Sequence, residues 1–133
     1  MLDRGSLIDG SKPLKNRSFG ERLAFAIAGI LHVWRHERSF RAQSGVALLA
    51  AGILCILRPP AIWWAAFVVV SALVLALEAM NGAIEYVCDR LHPELCDAIK
   101  HAKDAAAGAV LLASTAALLV GGLFLMSLRN VRE

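Results

Sequence analysis

Three stretches of this chain, residues 42–57, 61–77 and 105–128, contain no charged side chain. Stretches of that length and composition fit helices surrounded by lipid better than the core of a small soluble domain. The whole chain has the same bias, with 58% apolar residues and a mean hydropathy of +0.59 over 133 residues. A polytopic, all-α membrane protein is therefore expected. The spans are placed at 38–57, 61–89 and 103–128, in a single membrane domain over 19–133 that follows a flexible tail over 1–18.

The segments between the runs set the boundaries. Phe19, Leu23, Ile27, Ile30, Leu31 and Trp34 recur at helical spacing among charged residues, which predicts an amphipathic helix over 19–36 lying on the membrane surface. A soluble helix packed on a partner would show the same pattern. The run 42–57 covers only about 24 Å at ~1.5 Å per residue, so its helix is expected to start near Arg38, with Arg41 snorkelling to the interface. Pro59 and Pro60 stop that helix after Arg58. Trp63 and Trp64 then suit a headgroup-level position. Pro93 and several charged residues make Leu91–Lys100 read as an aqueous loop. The patch Leu23–Leu31 runs into His32, Arg35 and His36 and has no small-residue cleavage site, so it is not a signal peptide. Cys55, Cys88 and Cys96 form no CxxC pair and imply no disulfide framework.

Lys and Arg are counted to orient the spans. Eight fall between Arg4 and Arg41 and three are Arg90, Lys100 and Lys103, while the other side has only Arg58, Arg129 and Arg132. This bias puts the N-terminal region and the second loop in the cytoplasm. The net charge of +3 is modest, and the basic residues flank spans without interleaved aromatics. Anionic headgroups fit as partners and nucleic acid does not.

At the cytoplasmic end of the second span, Glu78, Asn81, Gly82, Glu85 and Asp89 fall within roughly 100° of one helix face. Ionisable groups near membrane depth are costly and tend to have a function. Carboxylates of different helices meeting there can hold a hard cation. Mg²⁺ prefers oxygen ligands and keeps waters and substrate phosphates in its shell, and Glu37 and Glu85 suit it. Lys103, beside Asp104, can place a point charge on a phosphate. Glu78 lies deeper and suits a base acting on a hydroxyl. These parts meet the needs of phosphoryl transfer, although the nucleotide cradle GxxxxGK[ST] is absent. The plainer alternative is an acidic stripe that pairs with Arg38, Arg41 or Lys103 and locks helix packing. Taken by itself, Lys103-Asp104 reads as a capped, interface-anchored helix end. His32 and His36 have metal-ligand spacing but no third convergent ligand, and read as headgroup-facing polar residues.

Three blocks together resemble a known family. Glu78-Ala-Met-Asn-Gly-Ala-Ile-Glu-Tyr-Val-Cys-Asp-Arg90 resembles the ExxNxAIExxxDR signature of the small bacterial integral-membrane diacylglycerol kinases, a family that includes undecaprenol kinases. His36-Glu-Arg-Ser-Phe-Arg41 is similar to its [HN]ExxFR segment, and Ala102-Lys-Asp-Ala-Ala-Ala-Gly-Ala-Val-Leu111 to its AKDxxxxAVL block. The order and spacing agree over roughly 19–128. The resemblance implies a homotrimer of three-span subunits in the bacterial inner membrane, with composite active sites between subunits on the cytoplasmic side. It also implies transfer of the ATP γ-phosphate to a membrane lipid hydroxyl with Mg²⁺, converting diacylglycerol to phosphatidic acid or undecaprenol to its phosphate. By motif match Glu78 would be the general base and Glu37 and Glu85 the metal ligands. Lys103, Asp104 and Glu94 would contact nucleotide, and Asn81 would support the site. The chain departs from the family pattern at Cys96, where a His is common, and at Phe25, where a Tyr is common.

A second class fits the same stripe: a non-enzymatic membrane subunit, or a cation-conducting oligomer whose carboxylates line the path. A conducting path runs the depth of the membrane, yet 68–77 and 111–125 offer only Ser71, Ser114 and Thr115 as polar lining. Charge confined to one end favours a site over a channel.

Overall fold

In a computed structural model the described residues are 18–91 and 96–130, and they form four helices. These are α1 (Phe19–His36), α2 (Arg38–Leu57), α3 (Ala61–Leu91) and α4 (Asp97–Asn130). The last three are long and apolar enough to cross a membrane, as the uncharged runs require. Except for Ser18, the expected tail lies outside the described residues. The chain divides into two compact units, Met1–His32 and Val33–Glu133, with the break inside α1.

A reciprocal cap fixes the start of α1. The Ser18 amide donates to Glu21 Oε2 at 2.7 Å and the Glu21 amide donates to Ser18 Oγ at 3.3 Å. This capping box satisfies two amides that the helix itself leaves without partners. Phe19, Leu23, Ile27, Ile30, Leu31 and Trp34 lie within a sector of about 120° at 100° per residue. None of the α1 side chains is buried.

A single residue, Glu37, separates α1 from α2 and serves as the N-cap position of α2. Arg41, expected as an interface residue, is engaged by the end of α1. Its Nη1 donates to the carbonyls of Trp34 and Arg35, each at 3.0 Å, and so satisfies the last turn of α1. At the other end of α2, Arg58 turns the chain in the left-handed region (φ 48°) and its amide donates to the Leu54 carbonyl at 2.8 Å. Pro59 accounts for this break, because the residue before a proline is disfavoured in the right-handed helical region.

The contacts at both ends show that the three long helices run antiparallel in sequence order. Ser39 of α2 reaches Glu78 of α3, Asp89 of α3 meets Lys103 of α4, and Trp63 packs edge-on against Phe124 at 5.2 Å. Helix α3 packs against both α2 and α4. Phe40, Leu54, Val74, Ala113 and Phe124 are buried along these seams. Between the three helices lies an apolar cavity of about 710 Å³, lined by residues that include Ala47, Leu54, Val74, Ser114, Gly121 and Phe124. Large side chains on the outer faces remain open, with Ile56 81% and Leu118 77% exposed. Exposure on that scale suits lipid or neighbouring protomers rather than water.

Two boundaries differ from expectation. Helix α3 continues to Leu91 rather than 89, and the final helix begins at Asp97 rather than 103. Within the region expected as the loop Leu91–Lys100, Leu91 and Asp97–Lys100 are helical, and His92–Leu95 lie outside the described residues. Hydropathy marks where lipid ends but not where a helix ends. Asp97 places a carboxylate on the positive end of α4, and no breaker follows before the apolar run. At 31 and 34 residues, α3 and α4 are about 46 and 51 Å long, well beyond a ~30 Å hydrocarbon core.

Two outcomes test these packing and capping arguments. Phe124→Ala should lower stability in mixed micelles by about 3 kcal/mol in a detergent-unfolding titration, because it removes an aromatic contact beside an existing cavity. Ser18→Ala should cost the start of α1 about 1 kcal/mol and speed amide hydrogen exchange in its first turn roughly fivefold.

Candidate functional site

The extra length of α3 carries the acidic face. Glu78 is buried at 6% exposure, Asn81 and Glu85 are half-buried, and Asp89 is 68% exposed at the side chain. Successive turns of one helix thus step from the packed interior to an open rim, each with an oxygen-bearing side chain. Gly82, on the same face, is buried.

Helix α2 is fitted onto this face through its first turn. A Cβ on Gly82 would lie 3.0 Å from Glu37 Cγ, 3.1 Å from Cδ and 3.3 Å from Oε1. The absence of a side chain at Gly82 is therefore what admits the Glu37 side chain. Glu37 does not use its carboxylate to cap α2. Two residues on, Ser39 Oγ donates to Glu78 Oε2 at 2.9 Å. One edge of α2 thus meets the acidic face at two heights.

The remaining groups form two further links. Asn81 Nδ2 donates to Glu85 Oε1 at 3.0 Å, leaving Asn81 Oδ1 buried with no partner among the described residues. Lys103 Nζ of α4 donates to Asp89 Oδ1 at 2.8 Å. Glu37, Glu85, Tyr86, Asp89 and Arg90 line a cleft of about 400 Å³.

The structure thus brings together most of the residues expected from sequence. Glu37 and Glu85 share the cleft, and Lys103 reaches its rim through Asp89. Glu78 and Asn81 lie on the same face towards the interior. Asp104 is exposed on α4 and does not line the cleft. Glu94 lies outside the described residues. Locking by cations, the plainer reading of the stripe, describes Asp89 with Lys103, whereas Glu78 and Glu85 accept hydrogen bonds from Ser39 and Asn81. Arg41 is engaged elsewhere, on the α1 carbonyls. Sequence reasoning missed Ser39 as a partner of Glu78 and Tyr86 as a lining residue. Nothing in HERSFR shows which way the serine hydroxyl turns, whereas Tyr86 was legible as the neighbour of Glu85.

Among the described residues no group of three His, Cys, Asp or Glu side chains is placed to hold a metal ion. Two carboxylates on one cleft, hard oxygen donors both, remain suitable for Mg²⁺, which ordinarily takes one or two carboxylates and completes its shell with waters and phosphate. The buried, unpaired Asn81 Oδ1 is an acceptor of the kind that such waters need. The residues present fit the ion.

The chain is also similar in sequence to known proteins. The family model described as prokaryotic diacylglycerol kinase matches residues 24–125. A diacylglycerol kinase of Synechocystis sp. is 40% identical over 105 residues, which cover 77% of this chain and 59% of that protein. The diacylglycerol kinase of Escherichia coli strain K12 is 34% identical over 99 residues, covering 74% of this chain and 81% of that protein. The chain therefore spans about three-fifths of the cyanobacterial relative and most of the enterobacterial one.

The Gly82 notch can be tested directly. Gly82→Val should push the Glu37 side chain off α3 and weaken Mn²⁺ binding, followed by electron paramagnetic resonance, at least tenfold. Helix content by circular dichroism should be unchanged.

Proposed function

The chain belongs to the prokaryotic diacylglycerol kinase family, and we propose that it transfers the γ-phosphate of ATP to the hydroxyl of a membrane lipid. The observation that carries this reading is the arrangement of one helix face. Two metal-competent carboxylates, Glu37 and Glu85, line an open cleft, and the carboxylate of Glu78 is buried further along the same face. Polyphosphate needs the first environment and a lipid alcohol needs the second.

Glu37 and Glu85 would hold Mg²⁺, and Asn81 orients Glu85. When bound, the ion neutralises charge on the phosphate oxygens. The Lys103 ammonium at the rim is a second positive group for the phosphates, and Asp89 holds it in place in the free protein. Glu78 accepts the proton of the lipid hydroxyl. The lipid oxygen forms its bond to the γ-phosphorus as the bond from that phosphorus to the bridging oxygen breaks, and ADP leaves with the electron pair.

The named relatives support diacylglycerol as the acceptor, giving phosphatidic acid. Undecaprenol presents the same primary hydroxyl at the interface and would give undecaprenyl phosphate. The Lys and Arg bias supports a cleft on the cytoplasmic side of the bacterial inner membrane. The wide apolar exposure of α2–α4 is compatible with neighbouring protomers as well as lipid, and the homotrimer is what the family resemblance implies. In such an assembly Asp104 and Glu94 would contact nucleotide at a site completed by a neighbouring protomer. A cation-conducting oligomer would need polar lining through the bilayer, which Ser71, Ser114 and Thr115 do not provide. Thr115 Oγ1 already donates to the Leu111 carbonyl at 2.8 Å.

Purified protein in lipid micelles with Mg²⁺ and ATP should phosphorylate diacylglycerol, and undecaprenol assayed beside it identifies the preferred alcohol. Glu78→Gln should reduce turnover at least a thousandfold and leave the oligomer intact on size-exclusion chromatography. Full activity in that variant would remove Glu78 as the base, and ion flux into liposomes without ATP would favour the channel.

A further inference from the structure

Among the described residues, the hydroxyl of Ser39 is the polar group of another helix bonded to Glu78, and the lipid-kinase reading gives it no role. The bond is 2.9 Å long and ends on a single carboxylate oxygen, Oε2, of a residue only 6% exposed. Ser39 lies in the first turn of α2, two residues after Glu37, whose side chain rests on Gly82 of the same α3 face. Both contacts therefore hold the same edge of α2 against α3. An aliphatic side chain at position 39 would satisfy the helix equally well, and its hydroxyl is not needed for capping. A carboxylate with one oxygen held by a fixed donor loses rotation about its last torsion, which is broad and roughly two-fold when free.

We propose that Ser39 is a positioning residue for the phosphoryl transfer, fixing the Glu78 carboxylate through Oε2 so that Oε1 receives the proton of the lipid hydroxyl. This inference rests on the lipid-kinase reading above. It concerns how the base is aimed, so its loss acts on the chemical step. A base turned away from the acceptor hydroxyl leaves nucleotide and lipid binding in place while few bound substrates react.

The experiment compares Ser39→Ala, Ser39→Thr and the unaltered chain as full-length protein in lipid micelles. Ser39→Ala should lower kcat about tenfold, with KM for ATP and for lipid changed less than twofold. Ser39→Thr keeps a hydroxyl on the same carbon and should restore kcat to within about threefold. Infrared spectroscopy provides a readout independent of turnover. The carboxylate stretch of Glu78, identified by its loss in Glu78→Gln, should shift in Ser39→Ala and return in Ser39→Thr. An unchanged kcat in Ser39→Ala, an unmoved band, or equal losses in kcat and in affinity for ATP would each overturn the inference and leave the kinase reading standing. If the unaltered chain phosphorylates no lipid alcohol, both fall, and a band that still moves with Ser39→Ala marks the bond as structural only.

Discussion

Uncompensated charge is costly in hydrocarbon, and the placement of the charged groups on α3 follows from that. From Ala61 to Leu77, α3 has no ionisable side chain; from Glu78 to Asp89 it has three carboxylates and an amide. The helix does not change at that point, but its surroundings do. Because α3 and α4 are each longer than a bilayer core is thick, one continuous helix can serve as a lipid-facing span and then as the wall of an aqueous cleft. Short helices joined by loops would need extra residues to satisfy loose backbone groups at the same depth.

The site is assembled by a few specific contacts between helices. Gly82 makes room for Glu37, Ser39 bonds to Glu78, and Lys103 bonds to Asp89. Each contact joins α3 to a different point on its neighbours. The Phe124–Trp63 contact holds α3 and α4 together at the opposite end. A substitution at either end therefore affects the registration of helices on which the cleft depends.

Much of this was legible in the sequence because the physics behind it is one-dimensional. Uncharged runs of sufficient length gave the three spans, and the proline pair placed the turn near Arg58. Helical periodicity alone gathered Glu78, Asn81, Gly82, Glu85 and Asp89 onto one face. The capping box of Ser18 and Glu21 is equally readable as S-x-x-E. The sequence did not reveal the helical stretch before Lys103, because water-exposed helix and loop have similar polarity. Nor did it reveal the directions of Arg41 and Ser39. Arg41 reads as an interface anchor until the nearby α1 carbonyls come into view, and Ser39 is a generic polar residue until α3 is packed beside it.

The burial of Glu78 bears on selectivity in the proposed reaction. Water is the most abundant hydroxyl compound near any kinase, and transferring phosphate to it would waste the nucleotide. A base sunk among packed side chains meets few solvent molecules, whereas an amphiphile's head can approach it from the hydrocarbon side. Discrimination between the two acceptors then rests on their direction of approach, and bringing the carboxylate closer to the rim would turn the enzyme towards futile hydrolysis.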